Sequence, residues 1–513
     1  MLAGVIVSVS SAADDGELER RAHATSALSA GESIISSNAV RTVKRPEGRS
    51  PAELSSAPDD VSAGFLFDRF KLTLESGWRS EAAGPFYYSQ HTESNSVWAV
   101  PPFFSSLDEP AVEAHENDFL YPLFTQTRYG PERRWQFFQW IGASSGLQPD
   151  QAPVKQFTLF PIYFWQRSAD TNLNYTAVVP FYGTLKNRLF RDEVHFVLLP
   201  FYVESKKRDV VTDNYFWPFV DVHHGDGMSG WQFWPFVGRE HKDVTTRTNN
   251  WGDISLVAGH DHWFYLWPFY LAQNNGLGTS NREDFRAAIP FYVTDRSPQR
   301  DYTSVLWPLF AVIDNREQKY HEWQGPWPFV IWTRGEGKHT SRVWPLFSES
   351  RNAVTERDSY LWPLYTFRHT QAEPLDQQRS RVLFYLYDRL AEKNTETGKE
   401  KIRTDMLPFF TWHRDFNGNE RLQILAPLEP AVPDSPGIER NWSPLWSLWR
   451  AEKNPQSGAA SQSFLWNLYR RETGPARKKV SFLFGLFQYQ STATTEQARL
   501  FYFTLFQTRT KEH

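Results

Sequence analysis

Apolar positions in this chain come in blocks rather than in even alternation. An aromatic phrase built around a proline returns about every nineteen residues, which is the signature of a repeat architecture. The strongest copies are Trp217-Pro218-Phe219, Trp234-Pro235-Phe236, Trp267-Pro268-Phe269, Trp307-Pro308-Leu309, Trp327-Pro328-Phe329, Trp344-Pro345-Leu346 and Trp362-Pro363-Leu364. Weaker copies sit at Tyr121-Pro122, Phe160-Pro161, Val179-Pro180, Leu199-Pro200, Ile289-Pro290, Leu407-Pro408 and Ser443-Pro444. Further downstream the phrase loses its proline, as in Val382–Tyr387, Phe464–Tyr469, Phe482–Phe487 and Phe501–Phe506. Between the copies lie charged and hydroxyl-rich stretches.

Each phrase is too short for a helix and lacks the i, i+3, i+4, i+7 recurrence. Its β-branched and aromatic residues suit a pleated surface instead. Turn-forming clusters follow, clearest at Asn394–Lys399, Phe416–Asn419, Glu472–Pro475 and Arg334–Lys338. Read this way, each tryptophan–proline phrase is the midpoint of a strand of about ten residues, and short links make successive strands antiparallel. The expectation is an all-β, up-and-down meander of about twenty strands. Two irregularities stand out: a degenerate copy at Trp135–Ile141, and an insertion between Pro235 and Pro268 that runs through Ile254–Val257.

So long a meander must deal with its edges. Strand length, export and aromatic content favour closure as a large outer-membrane-type barrel. The alternative is a soluble two-layer or shell-like β-repeat structure, because the phrases are apolar on both faces where a barrel strand would alternate. Mid-strand proline is awkward in either arrangement, since it removes a ladder donor.

Composition adds compartment more than activity. Aromatic residues make up 16% of the 513, and 33 prolines with 28 glycines punctuate the chain, against long helices. The net charge of −4 offers no basic surface for nucleic acid. The absence of cysteine excludes disulfides and thiolate-held metals. Residues 1–13 (MLAGVIVSVSSAA) read as a signal-peptide-like remnant and residues 14–64 as a disordered linker, which leaves 65–513 as the β-repeat domain.

The tandem Trp-Pro-Leu/Phe-Phe/Tyr phrases, over about Phe103 to Phe506, resemble poorly characterised Gram-negative envelope proteins with such β-strand repeats. That resemblance implies location more than activity: the cell envelope, most often the outer membrane, with a periplasmic or extracellular site as the alternative. The expected role is accordingly an outer-membrane barrel with a channel, transport or structural task and outer-membrane lipid as its partner. The alternative role is a soluble exported scaffold or binding protein.

Candidate chemistry is sparse. His260-Asp261-His262 would place two imidazoles on one strand face, a geometry usable by Zn or Cu. His223-His224 and Asp226 lie a repeat or two earlier, and no third ligand stands at a fixed spacing. Both clusters fall in Gly/Asp-rich segments that read as loops. Asp415–Glu420 is too short for a calcium loop and reads as a hairpin turn. No Gly-x-Ser-x-Gly elbow, phosphate-binding loop or dinucleotide fingerprint occurs, so neither an enzyme nor a cofactor is expected. The repeated tryptophans read as structural or lipid-facing rather than as platforms for sugars.

Overall fold

A computed structural model describes residue 63 and residues 65–146, 154–248, 252 and 254–509. The segment 1–13 and nearly all of 14–64 therefore lie outside the described residues. Strands are numbered in chain order from β1 (Asp68–Lys71) to β45 (Phe503–Arg509). Of these, 43 form one sheet, with each strand antiparallel to its chain neighbours. The exception is a separate hairpin of β20 (Thr245–Thr248) and β21 (Ile254–Val257), which is the insertion anticipated from the repeat spacing. The main sheet resumes across it, with β19 (Val237–Lys242) pairing directly to β22 (Gly259–Tyr265).

The all-β antiparallel meander is present, but its strands are shorter and more than twice as many as the repeat reading gave. The reason is where the prolines fall. Strand β16 (Val210–Tyr215) ends just before Phe216-Trp217-Pro218-Phe219, and β17 (Val220–Gly225) starts just after it. Phe219 N–H donates to the Phe216 carbonyl at 2.8 Å, closing a turn about a cis Trp217–Pro218 bond. A proline placed third in such a turn forfeits no ladder hydrogen bond, whereas one at mid-strand would. The phrases are therefore hairpin turns and not strand centres. The polar stretches between them, read as connections, are the strands.

The clearest of those strands alternate in burial with period two, and polar residues share the buried face. Along β27 (Phe310–Asn315), Ala311, Ile313 and Asn315 are buried, while Phe310, Val312 and Asp314 are exposed. On β28 (Tyr320–Gln324), Glu322 lies opposite Ile313 and also opposite Thr333 of β29 (Val330–Gly335). The 2% exposed Glu322 carboxylate accepts from Gln324 Nε2 at 2.5 Å and Thr333 Oγ1 at 2.7 Å, with Lys338 Nζ at 3.4 Å. A buried carboxylate is tolerable only when it is satisfied in this way. One apolar cluster, Phe164, Tyr175, Ala177, Leu185, Val194 and Phe196, comes from four successive strands, β11 (Tyr163–Ser168), β12 (Tyr175–Val178), β13 (Tyr182–Arg188) and β14 (Arg191–Val197).

No sheet closes into a barrel among the described residues. The terminal strands have one partner each: β1 pairs with β2 (Gly77–Ala82), and β45 with β44 (Thr495–Leu500). The two ends of the sheet instead meet through side chains. The Arg470 guanidinium stacks 3.3 Å over the Phe70 ring, Thr73 Oγ1 donates to Ser461 Oγ at 2.6 Å, and Asn467 Nδ2 donates to Glu81 Oε2 at 2.7 Å. Two short helices, α1 (Pro436–Asn441) and α2 (Ser443–Trp446), complete this overlap. Arg440 pairs with the fully buried Asp118 at 2.8 Å and also with Glu116, while Trp442 Nε1 donates to the Tyr121 carbonyl at 2.8 Å. The Ser443-Pro444 copy thus opens a helix, where proline in the first turn is well tolerated.

Candidate functional site: an aromatic edge and a histidine row

Every tryptophan–proline turn joins an even-numbered strand to the odd-numbered strand that follows it. Skipping β20 and β21 preserves that parity, so all of these turns fall on one edge of the sheet. Trp217, Pro218, Trp234, Pro235, Trp267, Pro268, Trp307, Pro308, Trp327, Pro328, Trp344, Pro345, Trp362 and Pro363 all lie in this row of turns. The opposite edge carries polar turns, including those anticipated at Asn394–Lys399, Phe416–Asn419, Glu472–Pro475 and Arg334–Lys338.

Successive turns on the aromatic edge bond to each other through the backbone. Leu199 N–H donates to Pro180 O at 2.6 Å, Trp217 to Pro200 at 2.7 Å, Trp234 to Phe219 at 2.6 Å, Trp267 to Pro235 at 2.6 Å and Trp362 to Pro345 at 2.7 Å. Rings pack along the same line. Phe219, Trp234 and Trp267 follow one another at centroid separations of 5.9 and 5.7 Å, and Phe329, Trp344, Trp362 and Phe384 at 5.7, 5.4 and 5.3 Å. The outward side chains stay open: Phe216 is 58% exposed, Phe219 47%, Phe269 57% and Phe291 69%. Soluble monomers rarely leave so long an apolar row uncovered.

The histidines occupy strands, not the loops their glycine- and aspartate-rich surroundings suggested. His223 lies on β17 and His260 and His262 on β22; Asp226 alone is in a turn. Cross-strand register aligns His223 with Gly230 of β18 (Met228–Phe233), Gly230 with Glu240 of β19, and Glu240 with His262. Glu240 Oε1 lies 2.5 Å from His260 Nε2 and 3.7 Å from His262 Nδ1, and Oε2 lies 3.3 Å from His223 Nε2. The His260 and His262 rings stack at 4.3 Å. His224 points to the other face, as the pleat requires of adjacent residues.

Charge is unevenly held in this row. Burial opposes the charged form of His223, but Asp221 and Glu240 outweigh it and lift the pKa to about 9. Burial also opposes the Glu240 carboxylate, yet the imidazoles around it hold its pKa well below the usual range. Burial lowers His262. Glu240, His260 and His262 each offer a ligand atom, and these atoms all lie within 4.8 Å of one another, close enough to share one ion. The sequence supplied the two histidines but not Glu240. That third group stands opposite them only because the β20–β21 hairpin is looped out of the ladder. No family model matches the chain, and no curated protein matches it either.

Proposed function

We propose that this chain is a structural protein of the cell envelope that docks its aromatic edge into a lipid surface, without its strands crossing the bilayer. The observation that carries this reading is the satisfied backbone of that edge. A peptide group placed in the acyl region without a partner is costly, so only internally bonded backbone can enter it. In the Phe216–Phe219 turn, the amides of Phe216, Trp217 and Phe219 donate to Phe201, Pro200 and Phe216, and Pro218 has no N–H to satisfy. Exposed phenylalanine, leucine and tryptophan on such turns suit the boundary between headgroups and acyl chains. The open sheet offers no lumen among the described residues, which favours a structural role over a channel.

The magnitude is sufficient. Half-exposed side chains of this size contribute about 1 kcal/mol each on transfer, so roughly eight of them reach ~8 kcal/mol, the scale of micromolar affinity. Sedimentation of the protein with vesicles of phosphatidylethanolamine and phosphatidylglycerol tests the reading. Binding should weaken at least tenfold in the triple variant Phe216→Ser, Phe219→Ser, Phe236→Ser, and bromine near the acyl headgroup end should quench tryptophan fluorescence. A folded protein that stays wholly in the supernatant would rule the reading out.

A further inference from the structure

We infer that His223, Glu240, His260 and His262 form a binding site for one divalent transition-metal ion, with Zn2+ the best match to three imidazoles and a carboxylate. The inference stands apart from lipid docking and rests on four observations.

The first is convergence. The side chains come from β17, β19 and β22, yet point to one face and meet at the Glu240 carboxylate, with nitrogens at 2.5, 3.3 and 3.7 Å from its oxygens. The second is space. A Cβ on Gly230 would lie 2.1 Å from His223 Nε2, so the imidazole reaches toward Glu240 only because the strand between them carries glycine there. The third is a buried ring nitrogen with no hydrogen-bond partner. His223 Nε2 is buried and, although near Glu240, out of alignment for a hydrogen bond.

The fourth observation is the outer layer of contacts. Metal-bound histidines usually give their second ring nitrogen to a carboxylate or carbonyl oxygen, which fixes the ring and turns the other nitrogen to the ion. His223 Nδ1 lies 3.2 Å from Asp221 Oδ1. His262 Nε2 lies 2.7 Å from Asn275 Oδ1, and Asn275 Nδ2 donates to Glu283 Oε2 at 3.1 Å, which settles the orientation of the amide. His262 therefore presents Nδ1, and His223 Nε2, toward Glu240. Both histidines have outer contacts of the kind that ligands carry.

The position gives the ion a task. It would clip three strands together where the β20–β21 hairpin interrupts the meander and β19 must find β22 across an excursion of sixteen residues, Asp243 to Ala258. Glu240 is hydrogen-bonded to His260 and lies 3.3 and 3.7 Å from the nearer nitrogens of His223 and His262.

Titration of the chelator-treated, full-length protein with ZnCl2 by calorimetry tests the site, with Co2+ as a spectroscopic probe. The expected result is one ion per chain, visible Co2+ absorption of a four-coordinate nitrogen–oxygen site, and a higher melting temperature with Zn2+. E240Q and the H260Q/H262Q pair should each weaken binding at least tenfold, and Asn275→Ala several-fold, with far-UV circular dichroism unchanged. The half-buried neighbour His241, held by Asp261 and substituted by Gln, should leave affinity as it was. Absence of saturable Zn2+ binding to the folded wild-type chain overturns the assignment. So does undiminished binding in folded H260Q/H262Q.

Discussion

Bulky side chains seldom adopt positive φ, yet the proline-free turns of the last third are built from them. Leu483 has φ 52° and Phe484 56°, and Leu383 and Phe384 have 49° and 61°. Where proline is missing, two consecutive left-handed residues reverse the chain, as in the tight hairpins usually served by Asn-Gly. Each such residue costs of order 1 kcal/mol. Asparagine tolerates this conformation better, so Leu483→Asn should raise folding stability by about 1 kcal/mol in urea denaturation. Leu483 is 39% exposed on the aromatic edge, so the same substitution should weaken vesicle binding. Stability and binding moving in the same direction would contradict the view that this strain is retained for an apolar surface.

At the scale of strands and turns, the sequence was legible in kind but misread in phase. The repeat, the antiparallel order, the polar turns and the irregularity between Pro235 and Pro268 could all be seen in it. What could not be seen was which half of each repeat was strand. Hydrophobicity pointed to Trp362-Pro363-Leu364, but the extended segments are runs such as Thr355–Tyr360, made almost wholly of charged and hydroxyl-bearing residues. Proline gave the correct signal, since its discomfort in a ladder is removed once it sits in a turn. In the histidine row, the two residues on one strand were visible, while Glu240 depended on a register that the looped-out hairpin conceals. Because polar groups occupy the buried face, their satisfaction governs strand stability. Glu322→Ala should remove the acceptor that Gln324 and Thr333 share and destabilise by about 3 kcal/mol, measured by chemical denaturation, whereas Glu322→Gln should lose clearly less.

For the whole molecule, the decisive place is where the first strands meet the last. Asp68, on β1, is 8% exposed there; burial raises its pKa to about 6, against the opposing pull of Arg470 and Lys479. A carboxyl whose pKa is higher folded than unfolded binds its proton more tightly in the native state. Its contribution therefore favours folding below the unfolded value near 4, falls as pH rises to about 6, and is level above that. The change is on the order of 3 kcal/mol. Denaturation midpoints of wild type and Asp68→Asn, compared at pH 4, 5, 6 and 7, should diverge across that window, with the variant the more stable at pH 7. Parallel curves would show that Asp68 does not sense the overlap.

The bonding of each aromatic turn to the turns beside it has a genealogical consequence. A hairpin of two strands and one apolar turn is a self-similar unit, and copying or deleting one preserves the up–down parity and every remaining hydrogen bond between turns. Chains of this design can lengthen or shorten by whole units while keeping one greasy margin and one wet margin. Only the segment that meets the opposite terminus, from Asp68 to Asp118 against Pro436 to Lys479, must keep its geometry as the number of units drifts.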